Sequence, residues 1–233
     1  MNVLLDVPYQ EKDLAKERGA RWNPNLKSWY VNDINKVGAV SRWIGDYDII
    51  CENLYILTKR HTCWKCKKSI DVVLFATDKS CSKEEEYRCN NDLQILTYVE
   101  KMPKELEDYM KQYLYYPGYS VQAKTRYFLN HCSSCKSIQG DNFLHEVPER
   151  SFYSKLCYRS HEPIRYAKIK NERGVPLQAN LPFYNEVCSS AELLMHHLRT
   201  GVENRASLGI NQKLINRLFS CSQREADITI PGL

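Results

Sequence analysis

Two cysteine pairs, Cys63-Trp64-Lys65-Cys66 and Cys132-Ser133-Ser134-Cys135, carry the clearest chemistry in this sequence. A C-x2-C turn aims two thiolates at one tetrahedral position. Two such turns therefore complete a four-sulfur site for one structural Zn²⁺ ion, with no position left open for catalysis. Residues 67–131, a stretch of 65, separate the pairs, whereas a ribbon usually separates them by about 15–20. The insert must then build a packed layer of its own. His61 and His131 each stand close to a pair, and His131 suits a place behind the ligands or at the edge of the core. Cys81 and Cys89 lie inside the insert and would need a histidine to form a second site. Along with Cys51, Cys157, Cys188 and Cys221, they otherwise read as small buried hydrophobes.

Catalysis has few carriers. The chain has no glycine-rich phosphate loop, no H-E-x-x-H helix and no G-x-S-x-G elbow. One hydrolytic reading stays open, a metal-dependent nuclease of the His-Asn-His type built from His131, Asp141 and His145 around the second pair. Its D-H-x-x-P entry is missing. Binding chemistry is better represented. Net charge is only +5, but the cations gather at Arg18, Arg21 and Lys27, then at Lys59, Arg60, Lys65, Lys67 and Lys68 around the first pair. A third group is Arg165, Lys168, Lys170 and Arg173. Phosphates suit such clusters, and Trp22, Trp29 and Trp64 are of the type that stacks on exposed bases. Trp22 and Trp29 also read as a cross-strand core pair.

These residues need elements to position them. Val3, Leu5 and Val7 alternate as a strand, residues 10–18 read as a charged helix, and Gly19 stands where a helix end favours a left-handed residue. Residues 20–22 and 27–31 flank Asn23-Pro24-Asn25 as a hairpin, and Asp33 caps a helix bearing Ile34, Val37, Val40 and Ile44. Leu54, Ile56 and Thr58 lead as a strand to His61 and the first pair, and residues 70–76 lead out. Residues 125–129 and 137–141 do the same for the second pair. Within the insert, residues 95–99 are expected as a strand, with a helix from Pro103 to Pro117-Gly118. Ile164, Tyr166, Ala167 and Ile169 suggest a strand broken by Gly174-Val175-Pro176. Ser189 with Glu192 makes a capping box, so residues 189–201 and 210–218 are expected as two helices.

Two resemblances follow from these motifs. Val7-Pro8-Tyr9, Gly19-Ala20-Arg21-Trp22-Asn23-Pro24 and Lys27-Ser28-Trp29-Tyr30-Val31 resemble the small domain of unknown function appended to plasmid-transfer primases. The likeness covers residues 3–31 and implies proximity to DNA or RNA metabolism. The cysteine pairs, with Met102-Pro103, Asn130-His131 and residues 139–145, are similar to bacterial proteins that join that domain to a four-cysteine zinc-binding domain, here about residues 51–148.

The expected fold class is α+β: a βαββα module over 1–45, a central zinc ribbon over 51–148 with a strand-helix insert at 77–123, and a C-terminal region over 149–233 ending in a helical hairpin. The expected function is non-enzymatic association with DNA or RNA, stabilised by one zinc ion. The alternative is a protein-interaction module or accessory of a mobile-element or defence system, docking a partner through the C-terminal helices. No apolar run spans a membrane and no export signal opens the chain, so a cytoplasmic setting without membrane contact is expected.

Overall fold

In the computed structural model, which describes residues 2–83, 86–87, 89–90, 94–141, 144, 164–171, 173–181 and 222–233, strands dominate. The first unit comprises β1 (Val3–Leu5), α1 (Lys12–Glu17), β2 (Arg21–Asn23), β3 (Ser28–Val31) and α2 (Val37–Val40), with single 3-10 turns beside both helices. Its antiparallel sheet has the order β1-β3-β2. Asn23 fixes the hairpin by accepting hydrogen bonds from the amides of Asn25 and Leu26 at 3.0 and 3.1 Å. Gly19, at φ +94°, ends the first helical segment. Asp33 accepts from Asn35 N at 3.0 Å, as its capping role requires.

Two strands of 14 residues form the central ladder: β4 (Ile49–Thr62) and β5 (Ser69–Ser82), antiparallel from Ile49↔Ser82 to Thr62↔Ser69. Then come β6 (Cys89–Asn90), β7 (Gln94–Lys101), α3 (Lys104–Met110), β8 (Tyr115–Ser120), β9 (Thr125–His131) and β10 (Ile138–Gln139). The last described strands are β11 (Ile164–Lys170), β12 (Val175–Asn180), β13 (Ser222–Arg224) and β14 (Ile228–Thr229). β4 pairs with β5 and β12, while β7 pairs with β5 and β12. These four strands therefore close into a ring, with β6, β11 and β13 extending the sheet and β14 pairing with β11. A separate three-stranded sheet runs β10-β9-β8.

The ladder has two buried faces, which is why β4 and β5 read as nearly continuous apolar runs. Leu54, Ile56, Val73 and Phe75 join Leu96, Val99, Leu177 and the α3 residues Leu106 and Met110 in one core. Tyr55, Leu57, Val72, Leu74, Ile95 and Tyr166 form a second core on the opposite face, and Cys63 and Cys132 belong to it. A third core holds the first unit together and includes Ile50, Cys81 and Tyr87, so that unit packs against the end of the ladder.

This architecture corrects the expected fold class. Among the described residues the structure is mostly β, with three sheets and three short α-helices, and not an α+β zinc ribbon. Long-range pairing of β12 with β4 and β7 closes the ring, and no local pattern announces that pairing. The expected helices at 189–201 and 210–218 lie outside the described residues. Two local expectations also change. The insert helix stops at Leu114, which adopts a left-handed φ of +56°, and Pro117-Gly118 belong to edge strand β8, where a missing N–H is tolerated. Pro176 likewise lies within β12, in register with Ile50, rather than breaking a strand. Among the described residues, no helix is long and apolar enough to cross a membrane.

Candidate metal centre

Each cysteine pair forms the turn of a β-hairpin. The first joins β4 to β5 and the second joins β9 to β10. The two turns repeat the same backbone hydrogen bonds. Cys63 N donates to Lys68 O at 2.9 Å and Lys67 N to Cys63 O at 3.0 Å; Cys132 N donates to Ser137 O at 2.9 Å and Lys136 N to Cys132 O at 3.0 Å. Lys67 and Lys136, each just after the second cysteine, share a φ of +60°. Two copies of one turn thus face each other.

The side chain of Asn130 brings them together. Its Oδ1 accepts from Val73 N at 2.8 Å and its Nδ2 donates to Val73 O at 2.9 Å, so a side-chain amide takes the place of a strand at the edge of β5. Asp141 adds a second tie, accepting from Tyr98 N at 2.7 Å.

The four sulfur atoms lie within 4.8 Å of one another. Cys63 Sγ is 3.7 Å from Cys135 Sγ, and Cys66 Sγ is 3.6 Å from Cys132 Sγ. A tetrahedral ion held at about 2.3 Å from each thiolate places the sulfurs about 3.8 Å apart. All four cysteines are free thiols, so the donor set fits a metal ion. Cys63 and Cys132 are buried, and Cys66 and Cys135 are partly open.

Ser137 and Gln139 complete the cluster. Ser137 Oγ is 3.3 Å from Cys63 Sγ and 3.1 Å from Cys135 Sγ, and Gln139 Nε2 donates to Cys63 Sγ at 3.4 Å and to Ser137 Oγ at 3.1 Å. Burial pushes the Cys63 thiol up, but hydrogen bonds from Ser137 and from the amides of Cys66 and Lys65 prevail and bring it down to about 5. Ser137 also lowers Cys135. Cys66 moves the other way, to about 11: a backbone hydrogen bond from Lys68 lowers it, but burial and hydrogen bonding to the other three sulfurs outweigh that bond. Negative charge therefore settles first on the two sulfurs facing Ser137, which readies the site for a cation.

The residues put forward for hydrolysis are used differently. His131 stacks on Tyr116 with ring centroids 3.7 Å apart, and its Nδ1 lies 2.9 Å from Leu129 O and 3.3 Å from Leu114 O. Burial holds its pKa below the usual imidazole range. Gly118 leaves little room for a side chain, since a Cβ there would stand 3.1 Å from Leu129 Cδ1 and 3.4 Å from the imidazole. Asp141 is buried and spends one oxygen on Tyr98 N. His145 lies outside the described residues. Cys81 stands opposite Cys89 in the β5–β6 register. Cys51 is buried, and desolvation pushes its thiol to about 12, as expected of a small core residue.

The basic and aromatic residues divide into two groups. Trp64, Lys65, Lys67 and Lys68 are exposed on the first cysteine turn. Lys65 and Lys68 have no ion-pair partner among the described residues, whereas Lys67 Nζ donates to Trp64 O at 2.6 Å. Lys59 is buried on the second core's face, and Arg60 pairs with Asp71 at 3.4 Å, so neither is free for phosphate. In the first unit, Arg18 donates to Ala39 O at 3.2 Å, while Arg21 and Lys27 are exposed. Trp29 is buried, and Trp22, half-exposed, meets it edge-on at 5.6 Å. The outer face of this sheet carries Leu4, Tyr30 and Arg21 in register, a row that attention to the tryptophans missed and strand alternation reveals. Asn130, Ser137 and Gln139 were also missed as site residues. Their only sequence signal is closeness to the second pair.

Comparison with known proteins covers the first unit. Residues 2–45 match a domain of unknown function, DUF5710. A stretch of 44 residues is 43% identical to the DNA primase TraC of Escherichia coli, covering 19% of this chain and 4% of that protein. The chain thus spans a small fraction of that relative's length. No solved structure matches.

Proposed function

We propose that this chain is a zinc-stabilised, non-enzymatic protein that binds nucleic acid through the exposed lysines of its cysteine turns and the cations of its first unit. The observation that carries this reading is the closed four-sulfur cluster joining two hairpins, with Lys65, Lys67, Lys68 and Lys136 exposed around it. Thiolates in a tetrahedral set on paired C-x2-C turns select zinc in a structural role. When bound, zinc adds a cross-link to the ties that Asn130 and Asp141 already make between the two hairpins' sheets. Cys63, Cys66, Cys132 and Cys135 hold it, and Ser137 and Gln139 stabilise the thiolates. Arg21, Lys27, Lys65 and Lys68 then supply cations for phosphates, and Trp22 and Trp64 supply exposed rings. The likeness of the first unit to part of a DNA primase supports a setting in nucleic-acid metabolism, in keeping with a mobile element.

Zinc released by a thiol-reactive mercurial and titrated with a colorimetric indicator should amount to one ion per chain. Fluorescence anisotropy with labelled DNA and RNA strands tests binding. If the three knuckle lysines Lys65, Lys67 and Lys68 each meet one phosphate of a single strand, affinity falls about 20-fold between about 50 and 200 mM salt. The combined Lys65→Glu, Lys67→Glu and Lys68→Glu variant should lose that share of the salt dependence, leaving the part carried by Arg21 and Lys27. Absence of binding at low salt would refute the reading.

A further inference from the structure

Beside the first cysteine turn lies a groove of about 510 Å³ walled by Trp64, Tyr98, Val121, Tyr127 and Ile138. Among the described residues, no charged side chain lines it. We infer that this groove seats one unstacked base of a single-stranded nucleic acid, with the flanking phosphates on Lys65 and Lys68 at one wall and on Lys124 at the other. The inference rests on the nucleic-acid reading above and assigns it a place and a strand type.

The turn itself does not require a tryptophan. The second turn has the same backbone hydrogen bonds with Ser133 at the equivalent position. Trp64 is nevertheless 46% exposed and held in one orientation, its Nε1 donating to Ile138 O at 2.7 Å. An exposed ring fixed in this way has already lost the rotamer freedom that stacking on a base would cost it. On the opposite side, Val121 is 79% exposed. Of the other large exposed apolar residues, Leu4, Tyr9, Trp22 and Leu26 belong to the first unit, and Tyr119 lies on the other face of β8, in register with Arg126. Trp64 and Val121 thus leave large apolar surface open on both sides of this groove.

The floor is also set on purpose. Tyr98 adopts a left-handed φ of +49° in the middle of β7, which bulky side chains rarely do. Asp141 holds that kink by accepting from Tyr98 N, and the kinked ring packs on Tyr127 with centroids 5.0 Å apart. Strain of this kind persists where the surroundings enforce it, and it concentrates at binding sites.

Charge decides the occupant. The interior is apolar and aromatic, while the exposed Lys65 and Lys68 share the cysteine turn with Trp64, and the exposed Lys124 follows Ala123 at the other wall. An uncharged flat group inside with negative charge on both sides describes a nucleotide in a strand. A duplex keeps its bases stacked and offers no face to Trp64, so the groove selects single strands.

The test uses the full zinc-loaded chain with labelled oligo(dT) and a duplex of equal length. The single strand should bind at least about 10-fold more tightly and quench the tryptophan fluorescence. Trp64→Ala and Val121→Asn should each weaken single-strand binding, the first by about 5- to 100-fold, the range of one base–aromatic stack. Zinc content and salt dependence should stay unchanged, since neither change alters charge. Val121→Asn decides the matter if Trp64→Ala loses metal. Equal affinity for duplex overturns the groove assignment, as does unchanged binding by both groove variants while Lys65→Glu with Lys68→Glu weakens it, and in both cases the nucleic-acid reading survives. No binding by the parent chain overturns both.

Discussion

Replacing Asn130 by alanine should release the second hairpin from the central ladder. Asn130 is 1% exposed and makes two hydrogen bonds to one residue, accepting from Val73 N at 2.8 Å and donating to Val73 O at 2.9 Å. Val73 lies opposite Thr58 in the β4–β5 ladder, so alanine at 130 leaves a buried N–H and a buried C=O without these partners. Each such group costs about 1–3 kcal/mol, which puts the loss of two at about 2–6 kcal/mol. A domain is stable by only about 5–15 kcal/mol in all. Because Asn130 is two residues from Cys132, the metal should feel the change. If about 2 kcal/mol reaches the site, zinc affinity falls about 30-fold. Urea unfolding of the zinc-loaded protein should show a lower midpoint at unchanged slope, and competition with a chromogenic chelator should show the weaker affinity. Asn130→Asp retains the acceptor but sets a buried carboxylate against Val73 O, so it should be at least as damaging as alanine. An alanine variant within about 0.5 kcal/mol of the parent, the scatter of a neutral surface change, with zinc affinity intact, would refute the reasoning.

Two further predictions concern protons. Ser137→Ala removes the hydroxyl that lowers Cys63 and Cys135. The thiols then hold their protons to higher pH, so the pH at which acid releases half of the metal should rise. A hydrogen bond to a charged group is worth about 1.5–3 kcal/mol, and shared among four sulfurs this amounts to a few tenths to about one pH unit, read by the colorimetric indicator across a pH series; an unchanged midpoint removes Ser137 from the site. His131 is held below its ordinary pKa by burial, so as pH falls the unfolded chain takes up the proton first. Its contribution to stability is complete above about 6.5 and is lost as pH drops from there through the folded value. His131→Phe keeps a ring against Tyr116 and should flatten the pH dependence of urea unfolding below about 6.5; curves parallel to those of the parent would mean that another group sets the slope.

The metal centre was the most legible part of the sequence because a C-x2-C turn is local: its hydrogen bonds close within six residues and oblige both sulfurs to one side. The hairpin at Asn23 and the cap at Asp33 were legible for the same reason, each resting on a side chain bonded to an amide two or three residues away. Closure of the strand ring was not. It depends on β12 meeting β4 and β7 across more than 70 residues of chain, although the strands expected at 54–61 and 70–76 were themselves legible and lie within β4 and β5. Helix periodicity in the C-terminal region tipped the expected class toward α+β, while the strands of the ring decide it. Asn130 illustrates the remaining gap. Nothing in the sequence tells an asparagine at a loop edge from one that completes the edge of a sheet, because its partner is Val73, 57 residues away.

The long insert, which looked like the weak point of a metal site, is physically mild. Closing a loop of 65 residues instead of about 17 costs about two doublings of length, close to 1.2 kcal/mol of chain entropy. The insert more than offsets this by folding. It contributes β7 to the ring and Leu106 and Met110 to the first core, and it supplies β8, against which β9 pairs from Tyr115↔Asn130 to Ser120↔Thr125. The second cysteine turn is therefore aimed by the insert as much as by the metal. Metal and fold would accordingly depend on each other: a bound ion would cross-link two hairpins that belong to different sheets, and the insert sets the distance between those sheets. This arrangement explains why Tyr98 and Asp141, one in the insert and one beyond the second turn, share the hydrogen bond that shapes the groove next to Trp64. Loss of zinc should then be felt in the groove before it is felt in the strand ring, whose core is built without the cysteines that bind it.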